Sequence, residues 1–221
     1  MDFCVEVTTR CNLECRNCFS SSRRNESAVH LPSVILYEEI GRRADGIIRT
    51  CITGGEPLLH PEIETILQLP AHYDSVGFVL STNGTVRSDL DPLLVRHGWL
   101  AAVSLHGGAD THNRYVMAAC HEQVVARLVR MSSMGVPLHV YSVLTDTTSP
   151  YDVDYLYTLR DSLGVSLLRF IIPRRHGRQF MVGAAHAEKY VTDRLDKRSV
   201  LVATSSQSVF LDVSGIVRSS H

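Results

Sequence analysis

Cys11-Asn12-Leu13-Glu14-Cys15-Arg16-Asn17-Cys18-Phe19 holds three of the chain's six cysteines, spaced C-x3-C-x2-C. Three thiolates this close can wrap one metal centre, and soft sulfur donors select zinc or iron–sulfur. A closed site needs a fourth ligand. Cys4 is the nearest candidate, but Phe3 to Thr8 reads as a strand. At about 3.3 Å per residue, Cys4 is expected ~15 Å or more down that strand from the loop. The loop is therefore expected to supply three ligands and leave one coordination position open, which suits chemistry better than structure.

Outward from the loop, apolar runs alternate with helical patterns, which predicts repeated βα units on a parallel sheet. The expected strands are Phe3 to Thr8, Gly46 to Ile52, Ser75 to Leu80, Leu100 to Leu105, Val136 to Leu144 and Val165 to Ile172. Between them, Ser33 is expected to cap a helix carrying Val34, Ile35, Leu36 and Ile40. A short helix follows Pro61, with Ile63, Ile66 and Leu67 on one side, and Ser88 opens another that ends before Gly98. His121 to Met134 carries Val124, Val125, Leu128 and Met131 at helical spacing, with Gly135 as its stop. A last helix ends at Leu163, before Gly164. Six such repeats predict an α/β fold, a partial (β/α)6 parallel barrel. In such barrels working groups sit at the C-terminal ends of strands. The cysteine loop, Gly54-Gly55-Glu56, Asn83 and His106 each follow or end a strand, so all are expected on one rim.

The barrel is expected over residues 1–180, and residues 181–221 as a small C-terminal helix-plus-hairpin appendage. Its two strand-like runs are Ser199 to Val202 and Val209 to Val213, with Ser205-Ser206-Gln207 as the turn between them. The tail holds no cysteine. His186 and His221 alone are too few ligands for a second metal centre.

The totals bound the function. With 221 residues, 44% hydrophobic and 20% charged, the chain is long enough to bury one sizeable core. A net charge of −1 gives no basic field that favours nucleic acid or an anionic membrane. No apolar run approaches the ~18 residues of a membrane-spanning helix, and the N-terminus lacks the regions of a signal peptide. Clustered cysteines in a chain of this length argue for metal in a reducing compartment, the cytoplasm, rather than for disulfides.

The cysteine spacing followed by an aromatic, just after a first strand, resembles the radical S-adenosylmethionine (radical SAM) superfamily. Thr53-Gly54-Gly55-Glu56-Pro57, after a second strand, strengthens the resemblance. Ser81-Thr82-Asn83-Gly84 and Val103-Ser104-Leu105-His106-Gly107 also resemble that family, and the likeness runs from Asp2 to about Arg178. The tail resembles the twitch or SPASM appendage of some members, without its auxiliary-cluster cysteines. The resemblance implies that Cys11, Cys15 and Cys18 hold a [4Fe–4S] cluster whose fourth iron SAM chelates. It implies that an electron donor such as flavodoxin or ferredoxin reduces the cluster. The cluster then passes one electron into SAM, leaving methionine and a 5′-deoxyadenosyl radical that abstracts hydrogen from substrate.

Gly54 and Gly55 lack a β-carbon and so admit close approach of a ligand. The resemblance places the SAM methionyl amino group there, with Glu56 as a charge-assisted partner. Ser81, Asn83 and Ser104 are candidates for the SAM ribose or carboxylate. His106, Cys120 and Cys51 are the candidates for a direct role toward substrate, the two cysteines as hydrogen donors, against the alternative that they are structural. His60 is expected at the surface, opening a helix. Arg169, Arg174, Arg175 and Arg178, with His176, are expected in a loop after the sixth strand, where they would favour an anionic substrate. The expected substrate is a small biosynthetic metabolite, since no separate peptide-binding domain precedes the barrel. The rivals are a peptide-modifying maturase, a glycyl-radical activase and, from another class, a non-catalytic zinc-binding module.

Overall fold

Alternating apolar and amphipathic runs fold here into parallel strands joined by helices. The computed structural model describes residues 2–16, 18, 27–172, 174–175, 178–179, 191–193, 195–203, 209–211 and 217–219. Six strands lie side by side in chain order: β1 (Asp2–Glu6), β2 (Arg49–Thr53), β3 (Gly77–Thr82), β4 (Leu100–Ser104), β5 (Leu138–Val143) and β6 (Leu167–Ile172). Every neighbouring pair is parallel, with Cys4 opposite Cys51 and Tyr141 opposite Arg169. The crossovers are α1 (Ser33–Gly41), α2 (Ile63–Ile66), α3 (Asp91–Arg96), α4 (Ala109–Val116), α5 (His121–Ser133) and α6 (Pro150–Leu163).

Local chemistry sets the helix ends. Ser149 and Asp152 form a reciprocal capping box at the start of α6, and Gly164 ends it at φ 65°, a conformation that favours glycine. Ser33 does not cap α1 as expected. Pro32 holds the cap position without a side-chain bond, and the Ser33 N–H donates to Glu62 Oε2 at 2.9 Å. Helix α4 was not legible in the periodicity, because its eight residues, ADTHNRYV, carry too short an apolar stripe. Its buried face is Thr111, His112, Tyr115 and Val116, and only the last two are apolar.

Strand alternation sorts the side chains into two environments. Phe3, Val5, Ile52, Leu80, Val103, Val140, Leu168 and Phe170 are buried in the hydrophobic core. Full burial of such side chains stabilises by about 1.5–3 kcal/mol each. The alternate positions Cys4, Cys51, Ser81, Ser104, Tyr141 and Arg169 are only half-buried and face the other side of the sheet.

The tail extends the same sheet at both edges. β9 (Ser199–Ala203) runs parallel beside β6, and β10 (Val209–Leu211) runs parallel beside β1. β11 (Val217–Ser219) then pairs antiparallel with β10. The tail's hairpin is therefore β10–β11, and the two runs expected to pair with each other separate instead. Both outer edges of a six-stranded partial barrel present unpaired backbone groups, and one apolar run satisfies each. This arrangement also requires curvature. From β10 to β9 the sheet is eight strands wide, about 34 Å if flat. The six Cα steps from Ala203 to Val209 reach at most about 22 Å. The sheet must therefore curl into a half-barrel, and the half-buried face becomes its interior.

A separate two-stranded ribbon pairs β7 (Arg174–Arg175) with β8 (Arg178–Gln179). Arg169 is not in the loop that follows β6. It lies within β6, because alternation continues through Leu167 to Ile172. The expected helix from about Met181, the Ser205-Ser206-Gln207 turn, His176, His186 and His221 lie outside the described residues.

Candidate active site at the cysteine loop

The cysteine loop leaves the top of β1 and is tied down on two sides. Val7 N donates to Thr53 O at 2.9 Å, continuing the β1–β2 pairing past the strand end. Gly55 N donates to Thr8 O at 2.7 Å, and Glu56 N donates to Arg10 O at 2.8 Å. A Cβ on Gly54 would stand 2.5 Å from Thr8 O, and one on Gly55 closer still to Arg10 O. What the two glycines admit is therefore the backbone of the cysteine loop itself. On the opposite side, Arg16 N donates to the Tyr115 carbonyl of α4 at 2.9 Å.

Glu56 is fully buried. Its carboxylate accepts from Thr82 Oγ1 at 2.8 Å, Leu58 N at 3.2 Å and Asn83 N at 2.7 Å. Burial raises its pKa, and these three donors oppose the rise. The carboxylate thus bolts the end of β2 to the end of β3. From there Asn83 Nδ2 donates to Asn12 Oδ1 at 3.0 Å, while Asn12 Nδ2 donates to Thr85 Oγ1 at 2.7 Å. Asn83 Nδ2 also lies 3.9 Å from Cys11 Sγ, which accepts from Leu13 N at 3.4 Å.

Cys11 is buried, Cys15 half-buried and Cys18 exposed. Burial first, and then the neighbouring Cys18 and Cys11, push the Cys15 thiol up to about 12. Sulfurs that disfavour each other's ionisation in this way need a cation to become thiolates together. Among the described residues no three potential ligands are already drawn into coordination geometry. The donor set nonetheless fits a cluster: three soft sulfurs graded from buried to exposed on a loop tied down at Arg10 and Arg16.

The other candidates fall in two places. His106 is buried, with Nδ1 accepting from Val143 N at 3.0 Å and its ring edge-on to Tyr115 at 4.3 Å. Burial, and then His112, hold its pKa well below the usual histidine value. Cys120 is buried beside His112, Sγ to Nε2 3.6 Å. His112 also accepts from His106 N through Nδ1, so its Nε2 carries the proton that Cys120 receives. Cys51 lies elsewhere, paired in register with Cys4. A hydrogen bond with Cys4, then burial, lifts its pKa well above normal. Ser81 and Ser104 lie on the interior face, as their alternation requires. His60 is not a surface residue: it is buried, bonds Leu31 O at 2.9 Å through Nε2 and accepts from Glu62 N.

Sequence reasoning missed His112, Tyr115, His139 and Tyr141. The first two sit on the unforeseen α4. The last two were findable, because period-two alternation through Leu138-His139-Val140-Tyr141 already puts both on one face.

A three-cysteine loop at the strand ends of a half-barrel fits a class of iron–sulfur enzyme, and residues 5–152 match the Radical SAM superfamily. The chain belongs to that superfamily, whose enzymes bind a [4Fe–4S] cluster and SAM. It is 26% identical over 214 residues to a probable GTP 3′,8-cyclase of Aeropyrum pernix, covering 92% of this chain and 60% of that protein. It is 38% identical over 85 residues to a Helicobacter pylori GTP 3′,8-cyclase, covering 36% of this chain and 26% of that protein. Among solved structures, Streptococcus suis SuiB bound to SAM superposes with a TM-score of 0.79 at 12% identity, covering 98% of this chain and 59% of SuiB. The chain thus spans between a quarter and three fifths of these relatives. No helix among the described residues is long and apolar enough to cross a membrane.

Proposed function

We propose that this chain reductively cleaves SAM and uses the resulting radical to take hydrogen from a small biosynthetic metabolite. Cys11, Cys15 and Cys18 would hold the cluster. Gly54, Gly55, Glu56, Ser81, Asn83 and Ser104 would form the SAM side of the site. When bound, cluster and SAM together supply one-electron cleavage of a sulfur–carbon bond and a hydrogen-abstracting 5′-deoxyadenosyl radical. The chain's own residues position and shield. Glu56 acts through the backbone it fixes, since both of its oxygens already accept from β3 and the turn after β2. Asn83 holds the loop to β3 through Asn12. The buried His106–Tyr115 wall excludes water on the α4 side. Residues 181–221 would act as an appendage shaping the substrate side, flavodoxin or ferredoxin would be the electron donor, and the cytoplasm the location.

The observation that carries this reading is the cysteine loop clamped between the Gly54–Gly55 backbone and the Tyr115 carbonyl. Sequence similarity to GTP 3′,8-cyclases favours a small-molecule substrate. The peptide-modifying alternative is supported by the likeness to SuiB, solved also with its precursor peptide SuiA. Anaerobic turnover with deuterated candidate metabolites and peptides, read as deuterium in 5′-deoxyadenosine, decides between them. Label from a metabolite is expected; label from peptides alone would overturn the reading.

A further inference from the structure

The interior of the half-barrel holds an arginine whose charge has no counter-ion among the described residues. Arg169 lies in β6 opposite Tyr141 of β5, which lies opposite Ser104 of β4, so the three share one rung of the sheet. Its guanidinium carbon stands 4.7 Å from the centre of the Tyr141 ring. Its Nε is buried and has no hydrogen-bond partner. Among the described residues no carboxylate lies within ion-pair distance of it. Arg49, on the same face of β2, is matched by Asp2 at 3.0 Å. His139, two residues before Tyr141 on the same face, is buried with Nδ1 unpartnered. Burial, then Arg169 and Arg49, lower its pKa to about 4, so it stays neutral. The charge of Arg169 is also felt by Cys51, four strands away in the sheet. The guanidinium lies over the Tyr141 ring, and the strand alternation puts both residues on the interior face.

A guanidinium with a buried, unbonded Nε and no carboxylate beside it among the described residues is costly to keep. Stacking on an aromatic ring fixes its plane and leaves its N–H edge free for a planar or tetrahedral oxyanion. We propose that Arg169, held on Tyr141, binds a carboxylate or phosphate group of the substrate inside the half-barrel. This rests on the function proposed above and narrows its substrate to an acidic metabolite. SAM carries a carboxylate too, so the two sources must be separated. The substrate is favoured because the proposed SAM groups Gly54, Gly55, Glu56 and Asn83 lie at the ends of β2 and β3. Arg169 sits mid-strand on β6, with three more residues of that strand beyond it.

The test is equilibrium titration of reconstituted, SAM-saturated protein with pyrophosphate and with citrate, beside a separate titration with SAM alone. Arg169→Gln should weaken binding of at least one anion by about 10- to 150-fold, the range for losing a charge-assisted hydrogen bond. Arg169→Lys should recover part of it, because the charge returns without the fork. SAM affinity should change less than about twofold in both variants, near the noise of such a titration. If wild type binds neither anion, or Arg169→Gln binds both as wild type does, the proposal fails. If SAM affinity falls along with anion affinity, the arginine serves the SAM carboxylate and the proposal also fails. Should Arg169→Gln not fold, Tyr141→Leu, which removes the stacking surface, takes its place with the same expected loss of anion binding. The titrations need no turnover, so their failure is separable from failure of the proposed reaction.

Discussion

The two sides of the half-barrel treat their polar groups in opposite ways. On the β1–β3 side, Glu56, Thr82, Asn83, Asn12 and Thr85 bond one another, and the cysteine loop is the thing they hold. On the β5–β6 side, Arg169 Nε and His139 Nδ1 are buried with no partner. A satisfied network in a low dielectric is rigid, and a buried polar group left without a partner is costly. On the proposed reading, the first side would be a preorganised holder for the cluster and SAM, and the second the surface that meets the substrate.

The largest effect should come from the holder's sulfurs. Alanine at Cys11, Cys15 or Cys18 would remove a ligand of the proposed cluster that no other described thiol can replace. Cys4 and Cys51 are paired mid-strand, and Cys120 is turned to His112. Reconstituted wild type should carry about four irons per chain, as one [4Fe–4S] centre requires. Each alanine variant should lose most of this iron and with it 5′-deoxyadenosine formation. Seven or eight irons in wild type would show a second centre with ligands from elsewhere.

Next in size is the bolt between β2 and β3. Glu56→Ala strands three donors, two of them buried, and a buried donor left unsatisfied costs about 1–3 kcal/mol. Denaturant unfolding should therefore show a loss of several kcal/mol, with weakened SAM binding as its consequence. Unchanged stability with weakened SAM binding would mean that Glu56 meets SAM directly.

A smaller effect tests the wall beside the loop. Burial, then His121, lower the pKa of His112 to about 4, against 6.5 for an exposed histidine. The unfolded chain therefore takes up the proton first. The stability from keeping His112 neutral is complete above about 6.5 and drains away as pH falls toward 4. The full loss is about 3 kcal/mol, of which about 1.4 kcal/mol appears by one unit below 6.5. His112→Gln should flatten that part of the acid limb in chemical denaturation at pH 7.5 and 5.5. An acid limb as steep as wild type would place the neutral histidine elsewhere.

Much of the holder was legible in the sequence. The cysteine spacing, the glycine pair and the strand-end rule locate one rim without coordinates. The roles within it were less legible. Gly54 and Gly55 signal close approach, but only the fold shows that the approaching atoms are Thr8 O and Arg10 O. Glu56 signals a charge, but its burial depends on Thr82 and Asn83, which arrive from another strand. Arg169 was placed in a loop because the arginines that follow it drew it into their group, although its own strand alternates correctly. The partners of the tail strands could not be read at all, since Ser199–Ala203 and Val209–Leu211 carry no mark of which edge each will join.

The account turns on a three-sulfur cluster with one iron left for SAM. Electron paramagnetic resonance of the anaerobically reduced protein, with and without SAM, tests that directly. One reduced [4Fe–4S] signal that changes shape when SAM is added is the predicted result. A signal indifferent to SAM, or bound zinc with no iron–sulfur signal after reconstitution, would contradict it.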